Sequence, residues 1–111
     1  FVPDFRARRL RGIGDVKAVL ADGSALVLDA RAKGRFDGTA PEPRAGLPSG
    51  HMPGARNLPY SALYREDGTF RPREELRQAF VAAGIDPERP FVASCGSGVT
   101  ANSLIFAARL L

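Results

Sequence analysis

Two runs of consecutive apolar residues stand out along the chain, and each ends in a polar residue. Residues 25–29 read Ala-Leu-Val-Leu-Asp, and residues 91–94 read Phe-Val-Ala-Ser. Short apolar runs without alternation are typical of strands buried on both faces of a parallel sheet. Residues 55–58 (Ala-Arg-Asn-Leu), which follow a turn-rich segment, form a plausible third, short strand. The pattern therefore predicts three strands in this chain.

Between these runs, apolar residues recur at helical spacing. The clearest case is the segment 73–83, in which Leu76, Phe80 and Val81 are predicted to face inward. The same reasoning predicts helices over residues 15–20 and 99–111, and a short helical turn followed by a surface loop over residues 33–47. Strands and helices thus alternate along most of the chain.

This alternation predicts an α/β fold with a parallel sheet, because parallel strands need crossover connections. In such sheets, ligands bind at the carboxyl ends of the strands. Asp29 closes one predicted strand, and Cys95 directly follows another. We therefore expect both side chains at the same edge of the sheet.

Length and cysteine content limit the possible settings of the protein. The 111 residues are enough for one domain with one hydrophobic core. The single cysteine cannot form an internal disulfide, which fits a reducing compartment, usually the cytoplasm. No signal peptide is visible, and no apolar run approaches the ~18 residues of a membrane span. We expect a cytoplasmic protein that does not bind membranes.

The charge is strongly basic and comes almost entirely from arginine. The net charge is +4, and fourteen of the sixteen basic residues are arginine. Four of them cluster near the N-terminus, but no interleaved aromatic platform accompanies them, so that a solvated segment is favoured over a nucleic-acid site. An excess of guanidinium groups also suits a small anionic substrate.

Cys95 is the strongest candidate for chemistry. It lies between the strand 91–94 and the predicted helix 99–111, in a loop with two glycines. Backbone amides and the positive end of a helix favour a thiolate, and Gly96 and Gly98 allow those amides to converge on one anion. A buried core cysteine is the alternative. The position of Cys95 after a strand favours a nucleophile.

Five stretches together carry a recognisable pattern. They are residues 26–31 (LVLDAR), 34–39 (GRFDGT), 41–44 (PEPR), 49–55 (SGHMPGA) and 95–100 (CGSGVT). In this order they resemble the C-terminal, catalytic domain of two-domain rhodanese-like sulfurtransferases. The resemblance implies that residues 1–111 form this domain, and that its sheet has about four to five parallel strands flanked by helices. It further implies that an N-terminal rhodanese domain is missing, together with the last strand and helix.

Within this family, the loop CGSGVT resembles that of the 3-mercaptopyruvate enzymes, whereas thiosulfate enzymes usually place basic residues after the cysteine. The resemblance implies Cys95 as the nucleophile and Ser97 as an aid to proton handling. It implies Arg35 and Arg44 as ligands of the substrate carboxylate. The remaining loop positions are expected to bind the substrate sulfur through their amides: Gly96, Gly98, Val99 and Thr100. Ser97 and Thr100 could instead cap the next helix, and His51 is expected to be structural.

The implied reaction transfers sulfur through a Cys95 persulfide from 3-mercaptopyruvate to a thiol such as thioredoxin, or to cyanide, without metal or cofactor. Three alternatives remain open. A thiosulfate sulfurtransferase would use the same cysteine. A non-catalytic regulatory module commonly lacks it. A cysteine phosphatase of related fold needs an arginine six residues after the nucleophile, where this chain has Ala101.

Overall fold

A sheet of three parallel strands forms the centre of the molecule, which a computed structural model describes over residues 1–111. Strand β1 (Leu26–Asp29) lies in the middle, between β2 (Arg56–Asn57) and β3 (Phe91–Ser94). All three predicted strands are therefore confirmed. The predicted α/β fold with a parallel sheet is confirmed, and the sheet in this chain has three strands where the resemblance implies about four to five.

Four α-helices accompany the sheet. They are α1 (Ile13–Asp22), α2 (Lys33–Asp37), α3 (Arg73–Ala82) and α4 (Ala101–Leu110), with short 3₁₀ turns at Ala7–Arg9 and Tyr60–Leu63. Helix α1 begins two residues before its prediction, since the Asp15 carboxylate accepts a hydrogen bond from the Gly12 N–H at 2.8 Å. Helix α4 begins two residues later than predicted, at Ala101. None of the four helices has the length and apolar character needed to cross a membrane.

The core lies between β1, α3 and α4. Its largest fully buried side chains include Leu28, Leu76, Phe80 and Leu104. The prediction that Val81 faces inward is wrong, because Val81 is 61% exposed. Leu76 and Phe80 are four residues apart and therefore lie on the same face of α3. Val81 is one residue further along and points about 100° away from Phe80 around the helix.

The register of the sheet sets the position of the site. Asp29 lies opposite Ser94, so that the carboxyl ends of β1 and β3 meet at one edge. Asp29 is the one charged residue in the buried core. The expectation that Asp29 and Cys95 lie at the same edge of the sheet is confirmed, since Cys95 directly follows Ser94.

Candidate active site

Cys95 is half-buried at the point where β3 ends and the loop toward α4 begins. The chain turns back at once, and the N–H of Gly98 donates a hydrogen bond to the Cys95 sulfur at 2.9 Å. Gly98 has a φ of 84°, a conformation that side-chain-bearing residues rarely adopt. The glycine therefore allows the loop to curl around its own cysteine.

The surroundings of Cys95 favour the thiolate. Burial is the largest single influence and raises the pKa of the thiol. Hydrogen bonds from the Thr100 hydroxyl and from the amides of Ala101, Ser97 and Gly98 together outweigh it, so that the pKa lies below its usual value. A lower pKa increases the fraction of Cys95 that is present as thiolate, which is the nucleophilic form.

An open cleft of about 620 Å³ lies above Cys95. Its lining includes the Cys95 loop, with Gly96 and Ser97, and residues 47–52. The cleft also brings together Arg35 and Arg44, which the resemblance implies as ligands of one substrate carboxylate. The candidate nucleophile and both candidate anion-binding residues therefore share one opening.

A chain of ion pairs lines part of this cleft. Arg31 binds Asp29 at 2.6 Å and Glu42 at 2.7 Å, and Arg35 binds the other oxygen of Glu42 at 2.7 Å. Arg31 also donates a hydrogen bond to the carbonyl of Gly50, which connects the edge of the sheet to the segment 47–52. Most of these charges are shielded from water, so that each needs its partner.

The two candidate anion-binding arginines differ in their surroundings. Arg35 lies against the Cys95 loop, since a Cβ built on Gly96 would lie 3.1 Å from its Nη2. Its Nε is buried and has no partner in the protein. Arg44 is exposed and forms neither a hydrogen bond nor an ion pair. Arg35 therefore keeps Nη1, and Arg44 keeps all of its N–H groups, as donors that a carboxylate could use.

The remaining predicted site residues occupy different places. Ser97 lines the cleft, but it does not cap α4, because the capping position belongs to Thr100. Thr100 makes no side-chain capping bond, and its hydroxyl faces Cys95 instead. Val99 points away into solvent. The amides that lower the pKa of Cys95 include those of Ser97 and Gly98, but not those of Gly96, Val99 and Thr100.

His51 lines the cleft but is not among the groups that form hydrogen bonds with the Cys95 sulfur. Its ring stacks on Phe36, with centroids 3.6 Å apart, and its Nδ1 forms a hydrogen bond with the Phe36 carbonyl at 2.6 Å. These contacts hold the segment 49–55 against α2 and agree with the structural role that the sequence favoured.

Two groups at the site were not expected from the sequence. The Ala101 amide reaches Cys95, although alanine carries no side-chain signal. Glu42 joins Arg31 and Arg35, although in the sequence it belongs only to the motif 41–44. The one sequence feature that could have indicated its role is a carboxylate between two prolines, two residues before Arg44. No group of three or more potential metal ligands exists in the chain.

Comparisons with known proteins agree with this geometry. Residues 13–111 match the model of the rhodanese-like domain. The chain is 43% identical over 101 residues to thiosulfate/3-mercaptopyruvate sulfurtransferase 2 of Arabidopsis thaliana, covering 91% of this chain and 30% of that protein. It is 46% identical over 85 residues to thiosulfate sulfurtransferase of Bos taurus, covering 76% and 29%.

Among solved structures, a 3-mercaptopyruvate sulfotransferase from Escherichia coli aligns with a TM-score of 0.77 at 33% identity. The alignment covers 99% of this chain and 40% of that one. The chain spans about 30% of the length of the two curated relatives. The family match covers nearly all of this chain, and the chain belongs to the rhodanese-like domain family.

Proposed function

We propose that the protein is a sulfurtransferase that moves sulfur from 3-mercaptopyruvate to a thiol, or to cyanide in an assay. One observation carries the proposal: Cys95, whose pKa is lowered, shares its cleft with two arginines that keep free donors. A nucleophile beside a carboxylate-binding pair suits a donor with sulfur at one end and a carboxylate at the other.

The first half-reaction would proceed by direct attack of the Cys95 thiolate on the donor sulfur. A sulfur–sulfur bond forms, the carbon–sulfur bond breaks, and its electron pair leaves on the enolate of pyruvate. A proton then reaches the enolate carbon, with the Ser97 hydroxyl as the proposed carrier. The amides of Ser97, Gly98 and Ala101 stabilise the anionic sulfur, while Arg35 and Arg44 hold the donor carboxylate.

In the second half-reaction, an acceptor thiol attacks the outer sulfur of the persulfide and regenerates Cys95. A dithiol protein such as thioredoxin is the proposed physiological acceptor. This chemistry requires no metal or organic cofactor. We further propose that the chain is the C-terminal catalytic domain of a two-domain protein of the cytoplasm, in keeping with relatives about three times its length.

Thiosulfate is the second candidate donor, because the Bos taurus relative named for it is 46% identical to this chain. Its two negative charges lie close to the transferred sulfur, so that basic groups are needed next to the nucleophile. This chain has Gly96 and Ser97 there. That composition favours mercaptopyruvate. The presence of Cys95 itself favours an enzyme over a non-catalytic module, and Ala101 disfavours a phosphatase.

Mass spectrometry of the intact protein after brief exposure to each donor tests the proposal. We expect the mass of one sulfur atom to be added at Cys95 by 3-mercaptopyruvate and much less by thiosulfate. Cys95→Ser is the control and should take up none. Addition mainly from thiosulfate would replace the proposed donor, and turnover by Cys95→Ser would refute the mechanism.

Removing the exposed cleft arginine should separate the two donors. Arg44→Ala is expected to raise KM for mercaptopyruvate by about tenfold or more, because it removes a charge-assisted hydrogen bond to the carboxylate. The KM for thiosulfate should change far less. Arg65→Ala, which removes another exposed arginine outside the cleft, is the matched control. Steady-state kinetics with both donors measure this, and an equal effect on both contradicts the role of Arg44.

A further inference from the structure

Glu42 occupies the centre of the ion-pair chain that leads from the sheet to the Cys95 loop. We infer that Glu42 is a positioning residue: it fixes the guanidinium of Arg35 beside Gly96, where Arg35 receives the carboxylate of an anionic reagent approaching Cys95. The inference deepens the proposed function and relies on it for the identity of the natural donor.

Glu42 is placed to hold other groups rather than to react. Its side chain is only 5% exposed, and its two oxygens each accept a hydrogen bond of 2.7 Å, one from Arg31 and one from Arg35. Arg35 is the main cause of the lowered pKa of Glu42, with burial opposing it and the charge of Arg31 adding to it. A carboxylate in this state is ionised at neutral pH and cannot act there as a general acid.

Arg31 gives Glu42 a rigid anchor. All three nitrogens of its guanidinium donate to protein acceptors, which belong to Asp29, Gly50 and Glu42. The Asp29 carboxylate lies at the end of the central strand and is buried. The position of Glu42 is therefore set by the sheet, and Arg31 keeps only one N–H group, on Nη1, without a protein acceptor.

Arg35 depends on Glu42 in a way that Arg31 does not. Glu42 is the sole protein acceptor of the Arg35 guanidinium, through Nη2. The Nε is buried without a partner, and the side chain as a whole is 27% exposed. Without Glu42, no hydrogen bond or ion pair in the protein would hold this long side chain against Gly96. One ion pair thus determines where its free donors point.

Charge and geometry make opposite predictions for the loss of Glu42. Removing a negative charge from the cleft should by itself make the cleft more attractive to an anion. Releasing Arg35 should make it less attractive, because an unrestrained guanidinium must be ordered again at an entropic cost. The direction of the change therefore distinguishes a positioning role from a simple charge effect.

The alkylation of Cys95, the only cysteine, measures this direction without any sulfur donor. Iodoacetate carries a carboxylate, whereas iodoacetamide is neutral. The rate of alkylation by iodoacetate divided by the rate with iodoacetamide therefore reports carboxylate binding beside the thiolate. In the intact protein, we expect Glu42→Gln to lower this ratio by about tenfold. Glu42→Asp keeps the charge but is too short to span both arginines, and it should lower the ratio as well. Glu75→Gln breaks an exposed ion pair with Arg71 and should leave it unchanged.

A double-mutant cycle assigns the effect to Arg35. Arg35→Ala should lower the ratio, and adding Glu42→Gln to it should lower the ratio no further. Circular dichroism and thermal unfolding establish that each variant is folded. An unchanged or increased ratio in Glu42→Gln, or an additive loss in the double variant, overturns the inference. Because the reagents are not sulfur donors, failure of the mercaptopyruvate assay would refute the proposed function and leave this test intact.

Discussion

At the scale of single residues, the reactivity of Cys95 results from two opposing influences. Burial raises the pKa of the thiol, while the Thr100 hydroxyl and three amides lower it by a larger amount. The amides are fixed by the backbone, but the hydroxyl can be removed by one substitution. A substitution of Thr100 is therefore the simplest way to change the pKa of Cys95.

Thr100→Val should raise the pKa of Cys95. The thiolate is the reactive form, so that the pH profile of alkylation by iodoacetamide should shift to higher pH. The fold should be unaffected, since Thr100 makes no side-chain capping bond to α4. Ser61→Ala, which removes an exposed hydroxyl without hydrogen bonds, should leave the profile unchanged. A profile in Thr100→Val that matches the wild type would exclude the hydroxyl as a cause of the low pKa.

Gly96 gives a second prediction, which concerns space rather than charge. Its φ is not positive, so that alanine is allowed by the backbone. The new Cβ would lie 3.1 Å from Nη2 of Arg35, closer than ordinary contact. Because Glu42 holds this nitrogen, Gly96→Ala should displace the guanidinium and raise KM for mercaptopyruvate several-fold, as roughly 1 kcal/mol of lost contact implies. Steady-state kinetics measure it, and an unchanged KM would show that Arg35 can shift freely.

The sequence predicted those site residues whose chemistry is visible in their own type and position. Cys95 follows an apolar strand, and Asp29 ends another, so that their meeting at one edge followed from parallel topology. Glu42 and the Ala101 amide were not predicted, because their roles depend on how separate loops meet in space. A buried carboxylate that joins two arginines looks like a solvated loop residue when only the sequence is read.

At the scale of elements, α3 shows how helical geometry decides which apolar residues matter. Phe80 is fully buried beside Leu76, whereas its neighbour Val81 is 61% exposed. The two residues therefore form a matched pair of probes on one helix. Truncation of the first creates a cavity, and truncation of the second removes contacts that are mostly with water.

Phe80→Ala should lower the free energy of unfolding by about 3–5 kcal/mol. Val81→Ala should change it by about 0.5 kcal/mol or less. Chemical denaturation monitored by circular dichroism measures both values under the same conditions. Equal destabilisation by the two substitutions would contradict the assignment of Phe80, and not Val81, to the core.

Element boundaries were predicted less well than element types. The three strands and four helical segments were all found in sequence, but α1 starts earlier and α4 later than their apolar patterns indicate. At α1, a carboxylate that accepts the Gly12 amide extends the helix beyond its apolar stripe. At α4, the first expected residues, Val99 and Thr100, instead belong to the loop after Cys95, where the Thr100 hydroxyl faces the sulfur.

At the scale of the whole molecule, both the net positive charge and the arginines of the cleft favour an anionic ligand. The net charge is +4. Within the cleft, the two carboxylates pair with Arg31 and Arg35, so that the unpaired charges are exposed Arg44 and the Cys95 thiolate that the donor must reach. An anionic donor should therefore be attracted before it makes contact, and salt should screen this attraction.

We expect kcat/KM for mercaptopyruvate to fall as ionic strength rises, because the Debye length shrinks from ~30 Å at 0.01 M to ~3 Å at 1 M. The decrease should be smaller in Arg44→Ala, in which the rim charge is gone. Alkylation of Cys95 by neutral iodoacetamide is the control and should respond weakly, since only the thiolate itself is then screened. Rate measurements over this range of salt test the wild type and Arg44→Ala with mercaptopyruvate, and the alkylation control. An identical salt dependence in Arg44→Ala and the wild type would place the attraction in the net charge of the molecule instead of the cleft.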